Sequence, residues 1–441
     1  MSKDDDMTNE AEETEFENVI NGLERANIKF YQISLLLLYP SGFWKYYNYT
    51  ALVLLEIATF YFLFTGVITI YSQVNNIFVV FEIANAFMIR LAVFINLADF
   101  HFVRKKRILW YKLLSYCKDE FYEYDCESVK KEMARLRLLC RNNMRWFFMI
   151  SVPALLINFF FIFVVIPITR YIIGEEQLTD DPAYNVFLPL PWWSMFSTRT
   201  TTGFTIQYLL MLFVGFNLLT IFIIYVSTGF YFMMELVVQF KILCFALTKH
   251  EERIEIHKAG LRERNLEQSG LLLSTKDAQK YDENAIPTEV LIQSILHHLK
   301  IREFFNMFQE FSSFFFGLVL SVNMLVIVAL SVILTKMDSL WTIEGLKFIS
   351  IFFFEILHIF CFTYFGSMLV EESHNVKRSL YSIHWYGFNS NQKKILNIFQ
   401  IQSASKFLLS ASGIYDIDLN TFLQVMQTAY SVFNVFSNMK T

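Results

Sequence analysis

Cysteine, proline and glycine are all scarce in this 441-residue chain, which holds 5 Cys, 7 Pro and 14 Gly. So few cysteines exclude a disulfide-built secreted scaffold. So little glycine and proline excludes collagenous and low-complexity chains. Charge is thin as well, at 18% of residues against the usual ~25%, with a net of −4. That balance gives no footprint for a nucleic-acid partner. Chemistry-bearing motifs are missing too. There is no glycine-rich nucleotide loop, no Ser/His/Asp arrangement and no Cys/His spacing for zinc. The chain reads as a non-enzyme with no cofactor and no metal. Its first 24 residues are acidic and lack the apolar core of a signal peptide, so none is expected.

What is abundant is apolar surface. Hydrophobic residues make up 55% of the chain, Phe alone occurs 49 times, and mean hydropathy is +0.39. A membrane span needs ~20 predominantly apolar residues. Six stretches qualify readily, at 50–71, 76–98, 146–168, 207–233, 312–335 and 346–370, and a more polar seventh lies at 419–438. The short apolar run Ile33–Leu38 is broken by Pro40, Ser41 and Gly42 and reads as a helix beneath the first span. Residues 1–14 read as disordered.

Basic residues set the orientation, because Lys and Arg collect in cytoplasmic loops. Of the 37, 31 fall before the first span or in segments 99–145, 241–311 and 371–418. Only Arg170, Arg199, Lys336 and Lys440 fall in the alternate segments, and Arg90 and Lys347 lie within spans. The reading is an all-α membrane protein of seven transmembrane helices, N-terminus cytoplasmic and C-terminus extracellular. A G-protein-coupled receptor has the opposite orientation, and its Asp-Arg-Tyr and Asn-Pro-x-x-Tyr motifs are missing. The only glycosylation sequon, at Asn48, abuts the inner end of the first span and should be unused.

The inner segments look ordered. Residues 289–311 carry Leu291, Ile295, Leu299, Phe304, Met307 and Phe308 at helical spacing, and 392–409 repeats the pattern. Apolar faces of this kind must be buried, in a small bundle of one chain or a larger domain of several. The expected divisions are a cytoplasmic segment (1–49), spans one to four (50–233), cytoplasmic extensions (234–311), spans five and six (312–370), intracellular anchor helices (371–418) and the seventh span with its tail (419–441). Residues 260–287 read as a polar, flexible insert. His297 and His298 read as polar contacts within a helical bundle. Inside the spans, Glu355 and His358 share a face at i,i+3. Glu82 and Arg90 lie close to one face, and structural pairing is expected of both sets. Trp192 and Trp193 read as membrane-interface anchors.

The seventh span carries the sharpest local signal. Asn420, Gln424, Gln427, Ser431, Asn434 and Asn438 recur at steps of four and three on one helix face. Such a stripe either bonds to other helices in a bundle core or lines an aqueous path. The second reading needs several copies around an axis. It also makes the bulky pair Phe433 and Phe436 a candidate gate.

The run Phe422-Leu-Gln-Val-Met-Gln-Thr-Ala-Tyr-Ser-Val-Phe-Asn-Val-Phe436 resembles the closing motif of the insect odorant receptor family. Tyr381-Ser-Ile-His-Trp385-Tyr386 is similar to its linker between spans six and seven. Leu296-His-His298 with Ile301 and Phe304 is similar to its helix entering span five, and Leu188-Pro-Leu-Pro-Trp192 to its second outer loop. Ala429-Tyr430 departs from the Thr-Tyr of gustatory receptors, and the chain is less similar to the shared coreceptor than to tuning receptors. The resemblance implies a ligand-gated, nonselective cation channel at the plasma membrane of sensory neurons. It implies a tetramer with the odorant receptor coreceptor or identical subunits, with the seventh helices around the pore. It also implies a pocket for small hydrophobic odorants in the outer half of the bilayer, between spans two and six. The aromatic and apolar residues there are Phe81, Ile83, Phe87, Phe159, Phe163, Tyr208, Met211, Phe353 and Phe354. A gustatory-type channel and a transporter without its own pore are the competing readings.

Overall fold

A computed structural model describes residues 43–74, 77–102, 104–118, 121–174, 181, 183–190, 192–271, 285–337 and 339–438. The Ile33–Leu38 segment, residues 1–14 and most of the expected polar insert lie outside these. Helices α1 (Phe43–Ser72) and α2 (Ile77–Phe102) are followed by α3 (Arg104–Lys118) and α4 (Glu127–Phe160). A π-helical turn, Phe161–Val165, joins α4 to α5 (Ile166–Ile173). Then come α6 (Thr201–Thr248), α7 (His250–Leu271), α8 (Ile286–Lys336), α9 (Ile343–Tyr381), α10 (Ser390–Ser403) and α11 (Leu419–Asn438). A two-stranded antiparallel hairpin, β1 (Ser410–Ala411) with β2 (Tyr415–Asp416), precedes α11. Among the described residues, six stretches are long and apolar enough to cross a membrane. Two of them, Thr201–Leu219 and Val226–Thr248, belong to the one continuous helix α6.

Helices α6, α8 and α9 run on past their apolar stretches without a break. Helix α8 runs 51 residues, or about 76 Å at 1.5 Å per residue, so only part of it fits a ~30 Å hydrocarbon layer. The basic segments gather at one end of the bundle, called the basic end below. Helix α7 extends to Leu271, so the first twelve positions expected in the flexible insert are helical. The principal core lies toward the basic end. There Trp110, Phe121, Phe232, Phe240, Phe304, Phe308, Phe399 and Phe407 are packed together. Each such ring contributes about 1.5–3 kcal/mol relative to exposure.

Polar groups within that core are bonded. His297 Nδ1 meets Tyr124 Oη at 2.8 Å and its Nε2 meets Gln239 Oε1 at 3.0 Å. Arg253 donates to Ser294 Oγ, Gln293 Oε1 and the Ala246 and Val290 carbonyls, and lies over the Tyr124 ring. Nε2 of His298 and both ring nitrogens of His250 are exceptions. His250 is buried at the start of α7 near Phe388, and neither of its ring nitrogens has a hydrogen-bond partner among the described residues. Burial, with Arg253 adding to it, pushes its pKa down to about 4. The folded chain therefore keeps this ring neutral. Its contribution is present above the unfolded value of ~6.5 and is lost as pH falls toward 4, by up to ~3 kcal/mol. Thermal unfolding at pH 7 and pH 5 is expected to show a larger drop for the native chain than for His250→Phe. Equal drops would mean that the ring titrates alike in the folded and the unfolded chain.

The start of α11 is clamped between α8 and α9. Gln309 of α8 bonds both ways to Ser410, donating to its carbonyl at 2.6 Å and accepting from its N–H at 2.9 Å. Ser412, at φ 55°, donates its N–H to Ser313. Asp418 caps α11 by accepting from Thr421 N–H at 3.0 Å, and Ser367 Oγ of α9 accepts from Leu419 N–H at 2.8 Å. Glycine is required at two points of this seat. A Cβ on Gly317 would lie 2.1 Å from Ser412 Oγ, and one on Gly366 would lie 1.9 Å from the Ile417 carbonyl oxygen.

Candidate functional site

A cavity of about 290 Å³ opens among α2, α4, the π-turn, α6, α8 and α9, in the half of the bundle away from the basic end. Its apolar wall includes Leu155, Phe159, Ile162, Phe163, Leu218, Phe348 and Phe354. Leu190, from the segment between α5 and α6, also reaches its lining. Of the nine residues singled out from the sequence, Phe159, Phe163 and Phe354 line this space. Ile83 and Met211 are fully buried in a neighbouring core with Phe62 and Trp192, and Phe87 packs against that core. Phe353 is 66% exposed and does not line the cavity. The side chain of Phe81 lies outside the described residues.

Tyr208 has a different task. Pro167 has no N–H, so the carbonyl four residues earlier, that of Phe163, loses its helical partner. The chain answers with the π-turn Phe161–Val165, and Tyr208 Oη donates to the Phe163 carbonyl at 2.8 Å. The bonded carbonyl belongs to a cavity-lining residue, so Tyr208 holds the wall without lining it. π-Turns of this kind occur often at functional sites.

The polar side of the cavity departs from the sequence reading. Glu82 is not paired with Arg90. Its Oε1 lies 2.9 Å from Nζ of Lys347 on α9, with both side chains buried. Arg90 instead lies over the rings of Trp192 and Phe62, at 4.3 and 4.8 Å from their centroids. Trp192 is therefore not an interface anchor. It is fully buried, donates Nε1–H to Thr65 Oγ1 at 2.9 Å, and fits because Gly66 leaves the space. Glu355 and His358 are 4.0 Å apart, and Asn323 joins them. With the amide oriented by its neighbours, Asn323 Nδ2 donates to Glu355 Oε2 at 3.3 Å while Oδ1 accepts from His358 Nδ1 at 2.8 Å.

Helix α11 carries the second candidate site. Thr421, Val425 and Ala429 form its buried face against α8 and α9. Asn420, Gln424, Gln427, Ser431 and Asn438 are exposed and Asn434 is half-buried. Asn420 donates to Asp418 and Ser431 bonds back to the Gln427 carbonyl. The stripe therefore turns away from the chain's own core. Phe433 is exposed beside it, and the side chain of Phe436 lies outside the described residues.

The sequence model of the 7tm Odorant receptor family matches residues 82–430, which takes in the cavity and most of α11. The chain belongs to the odorant receptor family. Among curated relatives of the receptor, the Odorant receptor coreceptor of Aedes aegypti is 29% identical over 106 residues, 24% of this chain and 22% of that one. Odorant receptor 33b of Drosophila melanogaster is 25% identical over 153 residues, 34% of this chain and 39% of that one. The receptor thus matches only about a fifth to two fifths of the length of these relatives. The insect olfactory receptor OR5 from Machilis hrabei, solved in complex with eugenol, superposes with a TM-score of 0.68 at 13% identity. That superposition covers 93% of the receptor and 97% of the other chain, and establishes a shared fold.

Proposed function

We propose that this odorant receptor is a tuning subunit of a ligand-gated, nonselective cation channel. Small apolar odorants enter the cavity between α2, α4, α6, α8 and α9, against Phe159, Phe163 and Phe354. Four subunits, either identical or including the coreceptor, place their α11 helices around one pore. Asn420, Gln424, Gln427, Ser431, Asn434 and Asn438 line it, and Phe433 with Phe436 narrows it. The N-terminus and the basic end face the cytoplasm, the C-terminus faces outward, and the assembly resides in the plasma membrane. The segments at the basic end, 234–311 and 371–418, form the anchor between subunits. Exposed Ile292, Leu296, Leu299, Ile398 and Ile401 offer apolar surface for that contact.

One observation carries the reading. A helix buried along Thr421, Val425 and Ala429 presents an uncharged polar stripe that the described residues of its own chain leave largely uncovered. A single helix encloses no pore, so the stripe needs copies. Uncharged polar linings suit weak selection among cations. Single cysteines at Gln424, Gln427, Ser431, Val425 and Ala429, in cells with and without a coreceptor, test it. Thiol reagents are expected to block current at the first three and spare the last two. Block without that periodicity would sink pore lining and favour a transporter-like bundle.

A further inference from the structure

The cavity holds one feature that an all-purpose apolar pocket would not need. Its wall contains a cation, Arg90, whose side chain is 4% exposed. The other charged groups in the wall are matched. Lys347 answers Glu82, and Glu355 is held by Asn323 beside His358. Among the described residues, the guanidinium of Arg90 meets aromatic faces instead. Trp192 and Phe62, themselves edge-to-face at 87°, cover the guanidinium, and Nη1 has no hydrogen-bond partner among the described residues. Stacking satisfies the π-face of a guanidinium but not its in-plane N–H groups, which are donors only. Nη1 itself is closed off from the cavity, but Arg90 as a residue borders it, so an acceptor in the cavity would be met by the other in-plane N–H groups of the guanidinium. Asn85, five residues earlier in the same wall, has an Oδ1 acceptor with no donor among the described residues.

We infer that the ligand of this cavity is a short apolar molecule carrying an oxygen acceptor, a carbonyl or a carboxylate, which takes a hydrogen bond from the guanidinium of Arg90. The apolar remainder lies against Phe159, Phe163 and Phe354. A cavity of about 290 Å³ has room for a small organic molecule. A wall built to bond an acceptor rejects analogues lacking one far better than it rejects analogues differing by a methylene. The inference rests on the cavity being the odorant site, and the test separates the two.

The probes are heptane, heptan-2-one, heptanoic acid and heptylamine. These have nearly equal apolar length and differ in head group. Binding to the purified receptor is read by competition against tritiated heptan-2-one, a measurement independent of gating. At least tenfold tighter binding of the ketone or the acid than of heptane or the amine is expected. The leading acceptor then reports whether Arg90 is used as a donor or as a charge. Arg90→Met is expected to erase the difference, and Arg90→Lys to keep part of it. Should Arg90→Met fail to fold, the probe series on the native chain still decides. Heptane or heptylamine equalling the ketone and the acid overturns the acceptor assignment while leaving the cavity as the site. Leu218→Trp fills the cavity. If it leaves all four affinities unchanged in a folded receptor, the cavity reading itself fails.

Discussion

Lys347→Met is expected to destabilise this receptor more than any single loss of an apolar contact in the same half of the bundle. The reason is the partner left behind. Glu82 is buried among α2, α8 and α9, and its carboxylate lies 2.9 Å from Lys347. Removing one member of a buried pair strands the other, at a cost of about 3–5 kcal/mol. Methionine keeps the length and apolar character of the lysine stem, so the change isolates the charge. The decisive comparison is with the double variant Glu82→Gln/Lys347→Met, which has no stranded carboxylate. Thermal unfolding of purified receptor should show a deep loss for the single variant and recovery of most of it in the double. A double variant no better than the single would mean that the pair's electrostatics do not account for the loss.

Gly366→Ala carries the second large expected effect. The added carbon would meet backbone, at 1.9 Å from the Ile417 carbonyl oxygen and 2.9 Å from its carbon. Backbone cannot step aside by changing rotamer. The segment from Ile417 to Leu419 must shift, and with it the bond from Leu419 N–H to Ser367 Oγ and the Asp418 cap. Overpacking alone costs ~1–3 kcal/mol, and the lost cap adds about 1 kcal/mol. Gly387→Ala is the control, because nothing lies within 4 Å of a Cβ there. Thermal unfolding should fall by several degrees in the first variant and stay level in the second. Equal behaviour would mean that α11 is not seated on α9 as described.

These residues also show what a sequence makes legible. Spans announce themselves because each is a long run with its own hydropathy, and the stripe on α11 because it repeats along one helix. Period along a helix says nothing about which helices meet. Glu82 and Lys347 are 265 residues apart, and no spacing joins them. Arg90 looked like the partner of Glu82 because they lie close to one face of the same helix. The packed rings of Phe62 and Trp192 claim it instead. Trp192 looked like an interface residue because it sits in a connecting segment, and only the gap left by Gly66 on α1 shows that it turns inward. Tyr208 had a readable clue in Pro167. A missing N–H implies an unpartnered carbonyl at Phe163, although not which side chain repairs it. The hairpin has strands of two residues, too short for any periodicity to mark.

The mounting of α11 has a mechanical corollary. Its first turn is bolted to two long helices, through Ser367 and Gly366 on α9 and, via the hairpin, Gln309 and Gly317 on α8. The buried face continues through Val425 to Ala429, so the helix is held over its first half and is free only beyond it. One degree of tilt about Ala429 moves Asn438, nine residues or about 14 Å along, by roughly a quarter of an ångström. Helix α11 is thus a lever whose free tip lies at the end remote from its fulcrum.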